Sequence, residues 1–252
     1  MIITSKDNES VKEIKKLKQK KYRENKFIVE GVKMVKEAIS EKQEIECLVL
    51  REGTILDFDA TNYKVLELSE KVFNDLTDVV SPQGVLAVIR KHDDVLKTID
   101  TSADYILALD GIQDPGNLGT ILRTADSINL KQIIVSKNTV DAYSDKVIRS
   151  TMGAIYRVEI IEVDNLAEKI IELQNKGFEA VVTSLQTQKS IYDLDYKKKI
   201  VVIGNEANGV SNEVCDIADY KVKIPMKGKT ESLNASVAAG IMMYEYVRQN
   251  IK

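Results

Sequence analysis

The stretch DYILALDGIQDPGNLGTILRTADS, residues 104–127, reads as a short apolar strand, a glycine-bearing loop and a helix over about 117–127. The alternation then repeats to the end of the chain. QIIVS precedes a helix near 144–153, RVEII one near 164–176, FEAVVTS and KIVVIGN a short helix near 210–217, and YKVKIPM a last helix over about 232–249. Strands that alternate with helices build a largely parallel sheet covered on both faces, so residues 104–252 are expected to form an α/β domain. Working outward, residues 1–95 form a smaller α/β unit. It opens with a lysine-rich helix near 8–20 and continues through KFIVEGVKMVKEAI, IECLVL, KVLELSEKVFNDL and GVLAVIR. The polar segment KHDDVLKTIDTSAD, residues 91–104, is the expected boundary between the two.

Composition narrows the function. With 252 residues, 44% of them hydrophobic, the chain has the apolar surface for a sizeable core, and disorder is excluded. A net charge of -3 argues against non-specific coating of nucleic acid, but the total hides a local basic segment. Between Lys6 and Lys26 nine basic residues face four acids. Cys47 and Cys215 lack metal-ligand spacing, and His92 is the only histidine, so no zinc site, metal centre or histidine dyad is expected. The opening MIITSKDNES has no apolar signal segment, and no apolar run approaches the ~20 residues that cross a bilayer, so a soluble cytoplasmic protein is expected.

The motifs for phosphate and dinucleotide binding fail. Gly228-Lys229-Thr230 resembles half of a Walker loop, but Lys223 stands where that loop needs its first glycine. No Gly-x-Gly-x-x-Gly follows any strand. Three loops remain, each after a predicted strand: LDGIQDPGNLGTILRTADS, IGNEANGVSNE and IPMKGKTESLNAS. In an open parallel sheet such loops converge on one crevice outside the carboxyl ends of the strands. Each residue in them also has an ordinary role: the glycines as turns, Asn117 and Ser232 or Asn234 as helix caps, Glu206 as a solvated acid, Arg123 as a surface cation.

Together, NLGTILR, GNEANGVS and IPMKGKTESLNASVAAGIMMYE resemble the three motifs of the SpoU (TrmH-type) RNA ribose 2'-O-methyltransferases of the SPOUT superfamily. Residues 1–90, notably KFIVEGVKMVKEAI and SPQGVLAVI, resemble the ribosomal-protein-like substrate-binding domain of many bacterial members. The resemblance implies a parallel-sheet α/β catalytic domain over 104–252 with a deep trefoil knot, a homodimer, and S-adenosylmethionine as cofactor. It implies cofactor contacts from Thr183, Gly204, Glu206, Ile224, Met226, Leu233 and Asn234, and reaction roles for Asn117, Arg123, Glu206, Ser232 and Asn234. A guanidinium keeps its proton in proteins, so Arg123 is expected to hold the phosphate beside the target ribose rather than act as base. Lys12, Lys16, Lys20 and Arg23 of the basic segment are expected to contact RNA backbone, with Arg123 and with Arg149 extending the basic surface of the catalytic half. The attached domain favours 23S rRNA as substrate. A tRNA ribose methyltransferase and a non-catalytic rRNA-binding protein stay open as alternatives, and a nucleotide triphosphatase rests only on the failed Gly-Lys-Thr loop.

Overall fold

The computed structural model describes residues 1–91 and 98–250. Residues 92–97, with His92 and part of the expected boundary segment, lie outside the described residues. The chain forms two compact units, and the division is not sequential: residues 143–156 belong with the N-terminal unit.

In the first unit α1 (Glu9–Lys16) is capped by the side chain of Asn8 and buries Val11 and Ile14. Then follow β1 (Lys26–Glu30), α2 (Val32–Ser40), β2 (Ile45–Arg51), β3 (Val65–Leu68), α3 (Glu70–Asn74) and β4 (Val85–Arg90). The strands order as β1-β4-β2-β3. Unlike the sheet of the second unit this one is mixed, because β4 runs antiparallel to both β1 and β2 while β2 and β3 are parallel. Ile28, Val49, Leu68, Val72, Phe73 and Val88 meet Val11 and Ile14 in its core.

The second unit contains β5 (Tyr105–Asp110), α4 (Pro115–Ser127) and β6 (Gln132–Ser136). The chain then crosses the first unit as α5 (Asp145–Thr151) and returns for β7 (Glu159–Val163) and α6 (Leu166–Gln174). β8 (Glu179–Thr183), β9 (Lys199–Gly204), α7 (Asn212–Ile217), β10 (Tyr220–Val222) and α8 (Ala235–Asn250) complete it. Six strands pair in parallel in the order β10-β8-β9-β5-β6-β7. β5 and β9 are buried along nearly their whole length, which is why they read as continuous apolar runs rather than alternating ones. From β5 the chain builds outward through β6 and β7, then restarts on the other side, so strand order reverses between β5 and β9. Asp110 and Gly204 pair at the carboxyl ends of these two strands. That is where ligands bind in an open parallel sheet.

Three helix boundaries differ from the sequence reading, each for a local reason. α4 starts at Pro115 because Asp114, not Asn117, is the cap: its Oδ1 accepts from Asn117 N at 2.9 Å and proline occupies the first turn. α5 stops at Thr151 because Met152 (φ 52°) and Gly153 (φ 99°) turn left-handed. α8 starts at Ala235, with Asn234 Oδ1 accepting from Ser236 N at 2.9 Å and Val237 N at 3.3 Å, so Ser232 is not the cap. α8 lies against α4, where Gly240 faces Thr124 and Ser127 Oγ meets Tyr244 Oη at 3.2 Å.

Candidate active site

Of the connections that leave the carboxyl edge of the second sheet, those after β5, β8, β9 and β10 carry the expected residues, and one acid ties three of them together. Glu206 stands on the turn after β9. Its Oε1 accepts from Asn117 Nδ2 at 2.8 Å and Asp114 N at 3.1 Å, and its Oε2 accepts from Gln113 N at 3.1 Å. Asn117 passes the link onward, its Oδ1 accepting from Asn234 Nδ2 at 2.9 Å. Asn234 spends its own oxygen on the first turn of α8, including Ser236 Oγ at 2.6 Å. The side chains of residues 117, 206 and 234 thus form one chain of hydrogen bonds, with Asn117 only 8% exposed at its centre.

The turn that carries Glu206 is fixed from below. Asn205 and Gly209 exchange two backbone hydrogen bonds, and Asn205 Nδ2 donates to Gly111 O at 2.7 Å. Gly111 N in turn donates to the buried Ser136 Oγ at 2.9 Å. Gly204 has no room for a side chain, since a Cβ there would lie 2.1 Å from Gly209 C and from Val210 N. Gly209 closes the turn at φ 72°, a conformation that costs glycine nothing. Asp110, at the end of β5, accepts from Ser211 N at 2.8 Å and so links the same turn to the central strand.

Partial burial alone raises the carboxyl pKa of Glu206. The Asn117 amide and the backbone N–H groups of Gln113, Glu206 and Asp114 outweigh it and hold the group below its ordinary value. A carboxylate stabilised in that way is a loop organiser and a poor base.

The segment after β10 offers what a cofactor needs. Lys223 still pairs with Lys189 and Ile191, but among the described residues no hydrogen bond joins residues 224–233 to the rest of the chain. Ile224, Met226 and Leu233 are half-buried in it. Unpaired main-chain donors and acceptors beside apolar side chains fit a group with a flat heterocycle and a polar tail. Thr183 is half-buried at the end of β8 with its hydroxyl donating to Val202 O at 3.3 Å.

The other expected residues are not drawn into the network. Arg123 and Ser232 are exposed, and their side chains make no hydrogen bond or ion pair among the described residues. Arg23 is a correction: it is 6% exposed and its Nη1 donates to Leu17 O and Lys18 O, both at 2.9 Å, closing the end of α1, so it is not placed to meet RNA. Arg149 is exposed and belongs to the first unit, where its charge acts on Glu30, Asp78 and Asp145. Lys12 pairs with Asp7 at 2.8 Å and Lys16 with Glu13 at 2.6 Å, while Lys20 is exposed. Sequence reasoning missed Asn205, Asp110, Asp114, Gln113 and Ser136. Only Asp114 carried a local signal, an Asp-Pro at a helix start; the others act through contacts distant in sequence.

No group of three or more His, Cys, Asp or Glu side chains is placed to hold a metal among the described residues. No described helix is long and apolar enough to cross a membrane.

Comparison with known proteins agrees with this geometry. The profile of the SpoU rRNA methylase family matches residues 104–244, and that of an MRM3-like substrate binding domain matches residues 8–87. The chain is 32% identical over 246 residues to the 23S rRNA (guanosine(2553)-2'-O)-methyltransferase RlmP of Bacillus subtilis, covering 96% of this chain and 97% of that one. An AdoMet-bound rRNA methyltransferase from Sinorhizobium meliloti superposes with a TM-score of 0.84 at 31% identity, over 100% of this chain and 99% of that chain. The SpoU methyltransferase AviRb from Streptomyces viridochromogenes, in complex with AdoMet, gives 0.82 at 25% identity over 96% and 99%. With three loops bound together at the strand-order reversal and a profile match across most of the second unit, the chain belongs to the SpoU rRNA methylase family.

Proposed function

We propose that the protein transfers a methyl group from S-adenosylmethionine to a ribose 2'-hydroxyl of RNA, most specifically of 23S rRNA. The observation that carries this reading is the Glu206–Asn117–Asn234 network beside the unpaired backbone of residues 224–233. When bound, S-adenosylmethionine supplies an electrophilic sulfonium methyl. In the transfer the methyl carbon–sulfur bond breaks, a carbon–oxygen bond forms at the ribose and the hydroxyl proton leaves.

The residues divide the work by position. Thr183, Gly204, Glu206, Ile224, Met226, Leu233 and Asn234 surround the cofactor, with the free main-chain groups between 224 and 233 supplying most of its hydrogen bonds. Asn117 orients the ribose end of the site through its fixed amide. Ser232, free and exposed beside it, contacts the reacting groups. Arg123 clamps the phosphate next to the target ribose and stabilises developing negative charge, and that phosphate or a water takes the proton. The span 104–252, apart from residues 143–156 that belong with the first unit, is the catalytic domain and residues 1–95 hold the RNA, with Lys12, Lys16 and Lys20 exchanging their surface partners for phosphates.

The reading includes a cytoplasmic homodimer, supported by the exposed Val237 and Tyr244 on α8. It includes a trefoil knot in the last part of the sheet, supported by the match of residues 104–244 to the SpoU rRNA methylase family. The test is incubation with methyl-labelled S-adenosylmethionine and either unmodified 23S rRNA or bulk tRNA. Label in the rRNA is expected. Label confined to tRNA overturns the substrate, and label in neither overturns the activity.

A further inference from the structure

Gly228-Lys229-Thr230 is not a nucleotide loop, yet its lysine is conspicuous once ion pairs are assigned. The basic segment singled out by composition is largely neutralised where it stands. Lys6 and Lys15 pair with Asp75, Lys12 with Asp7, Lys16 with Glu13, Lys18 with Asp78 and Lys26 with Glu46. The segment from 221 to 230 differs: it holds Lys221, Lys223, Lys227 and Lys229 and no acid. Lys223 donates to Gln188 at 3.0 Å. Lys227 and Lys229 are exposed and have no hydrogen bond or ion pair among the described residues. They lie at most seven residues before Asn234, whose side chain is bound to Asn117, so their backbone is tethered to the candidate active site.

Accepting RNA as the substrate, we propose that Lys227 and Lys229 form a phosphate-binding subsite that grips the RNA strand flanking the target nucleotide. The chemistry fits a polyanionic strand. An ammonium on a flexible stem binds phosphate without demanding base identity, and free lysines need no resident carboxylate displaced before they release counterions. The loop therefore serves two ligands: its main chain the cofactor, its lysine tips the RNA.

The experiment compares wild type, Lys227→Ala/Lys229→Ala and Lys131→Ala. Lys131 is exposed and precedes β6, at the amino edge of the same sheet, so it controls for the loss of an exposed lysine elsewhere. Affinity for an unmodified 23S rRNA transcript is measured by filter binding between roughly 50 and 200 mM salt, and S-adenosylmethionine affinity by calorimetry. The double variant is expected to bind RNA about 3- to 10-fold more weakly, its plot of log affinity against log salt shallower by about 1 to 2, with cofactor affinity unchanged. Wild-type RNA affinity and slope in the double variant would overturn the proposal. So would an equal loss in Lys131→Ala, or weaker cofactor binding with RNA binding intact. A wild-type protein that binds RNA but methylates none fails the proposed activity without touching this subsite, and one that methylates RNA with no dependence on these lysines fails the subsite alone.

Discussion

Glu206 shows how one side chain can matter to a reaction without taking part in it. Its carboxylate accepts three N–H groups from the loop and first turn of α4. Glu206→Gln would turn an NH2 toward one of those donors, so methyl transfer is expected to fall by about tenfold or more, as for a single misplaced positioning group, with the far-ultraviolet circular dichroism unchanged. The pH dependence follows from the direction of its pKa. The folded-state value is below the unfolded one, so its stabilising contribution is present above the unfolded carboxyl pKa and is lost as pH falls through the folded value. Melting curves at descending pH should therefore show a smaller acid-side loss in Glu206→Gln than in wild type. Arg123 is a different case, since its exposed guanidinium has no protein partner to organise among the described residues. Arg123→Ala is expected to lower kcat by about 100-fold, the scale of one lost charge-stabilising donor. Arg123→Lys should recover only part of that, and near-normal turnover in it would remove the bidentate phosphate role. The types of these residues were legible because they fell in motifs; their partners were not. The sequence reading allowed Asn117 a capping role, and only the fold shows Asp114 capping instead and leaving the Asn117 amide free to bridge Glu206 and Asn234.

At the scale of elements, strand identity was easily read and strand arrangement was not. β5 and β9 are apolar throughout because both faces are covered, and such runs stand out in a sequence. Nothing local says that β9 inserts beside β5 and that β10 lies beyond β8, nor that the small sheet is mixed, because pairing is set by contacts far apart along the chain. The turn after β9 is the element on which the site depends. Gly204→Ala would push a methyl into the backbone of Gly209 and Val210, which must move. Cofactor affinity is expected to fall by at least about tenfold, and overpacking to cost about 1–3 kcal/mol of stability by chemical denaturation. Asn234→Ala removes the cap of α8 and the link to Asn117 together, so about 1 kcal/mol of stability should go with a loss of cofactor affinity.

For the whole molecule, composition exposed the charge asymmetry but not which of those charges are paired. Counting lysines between residues 6 and 26 cannot reveal that Asp75 and Asp78, far along the chain, return to pair with them. The same blindness hid the membership of residues 143–156 in the first unit, where Tyr156 Oη donates to Met34 O at 3.1 Å and Phe27 packs on Tyr143. The central claim, that the loops at the carboxyl edge of the second sheet direct a methyl group to ribose, has a direct chemical readout. RNA methylated by the protein with labelled S-adenosylmethionine is hydrolysed in alkali, which needs a free 2'-hydroxyl to cut the adjoining phosphodiester. The account predicts label in alkali-resistant dinucleotides, accumulating about 100-fold more slowly when Arg123→Ala replaces wild type. Label released in mononucleotides would place the methyl on a base and contradict it.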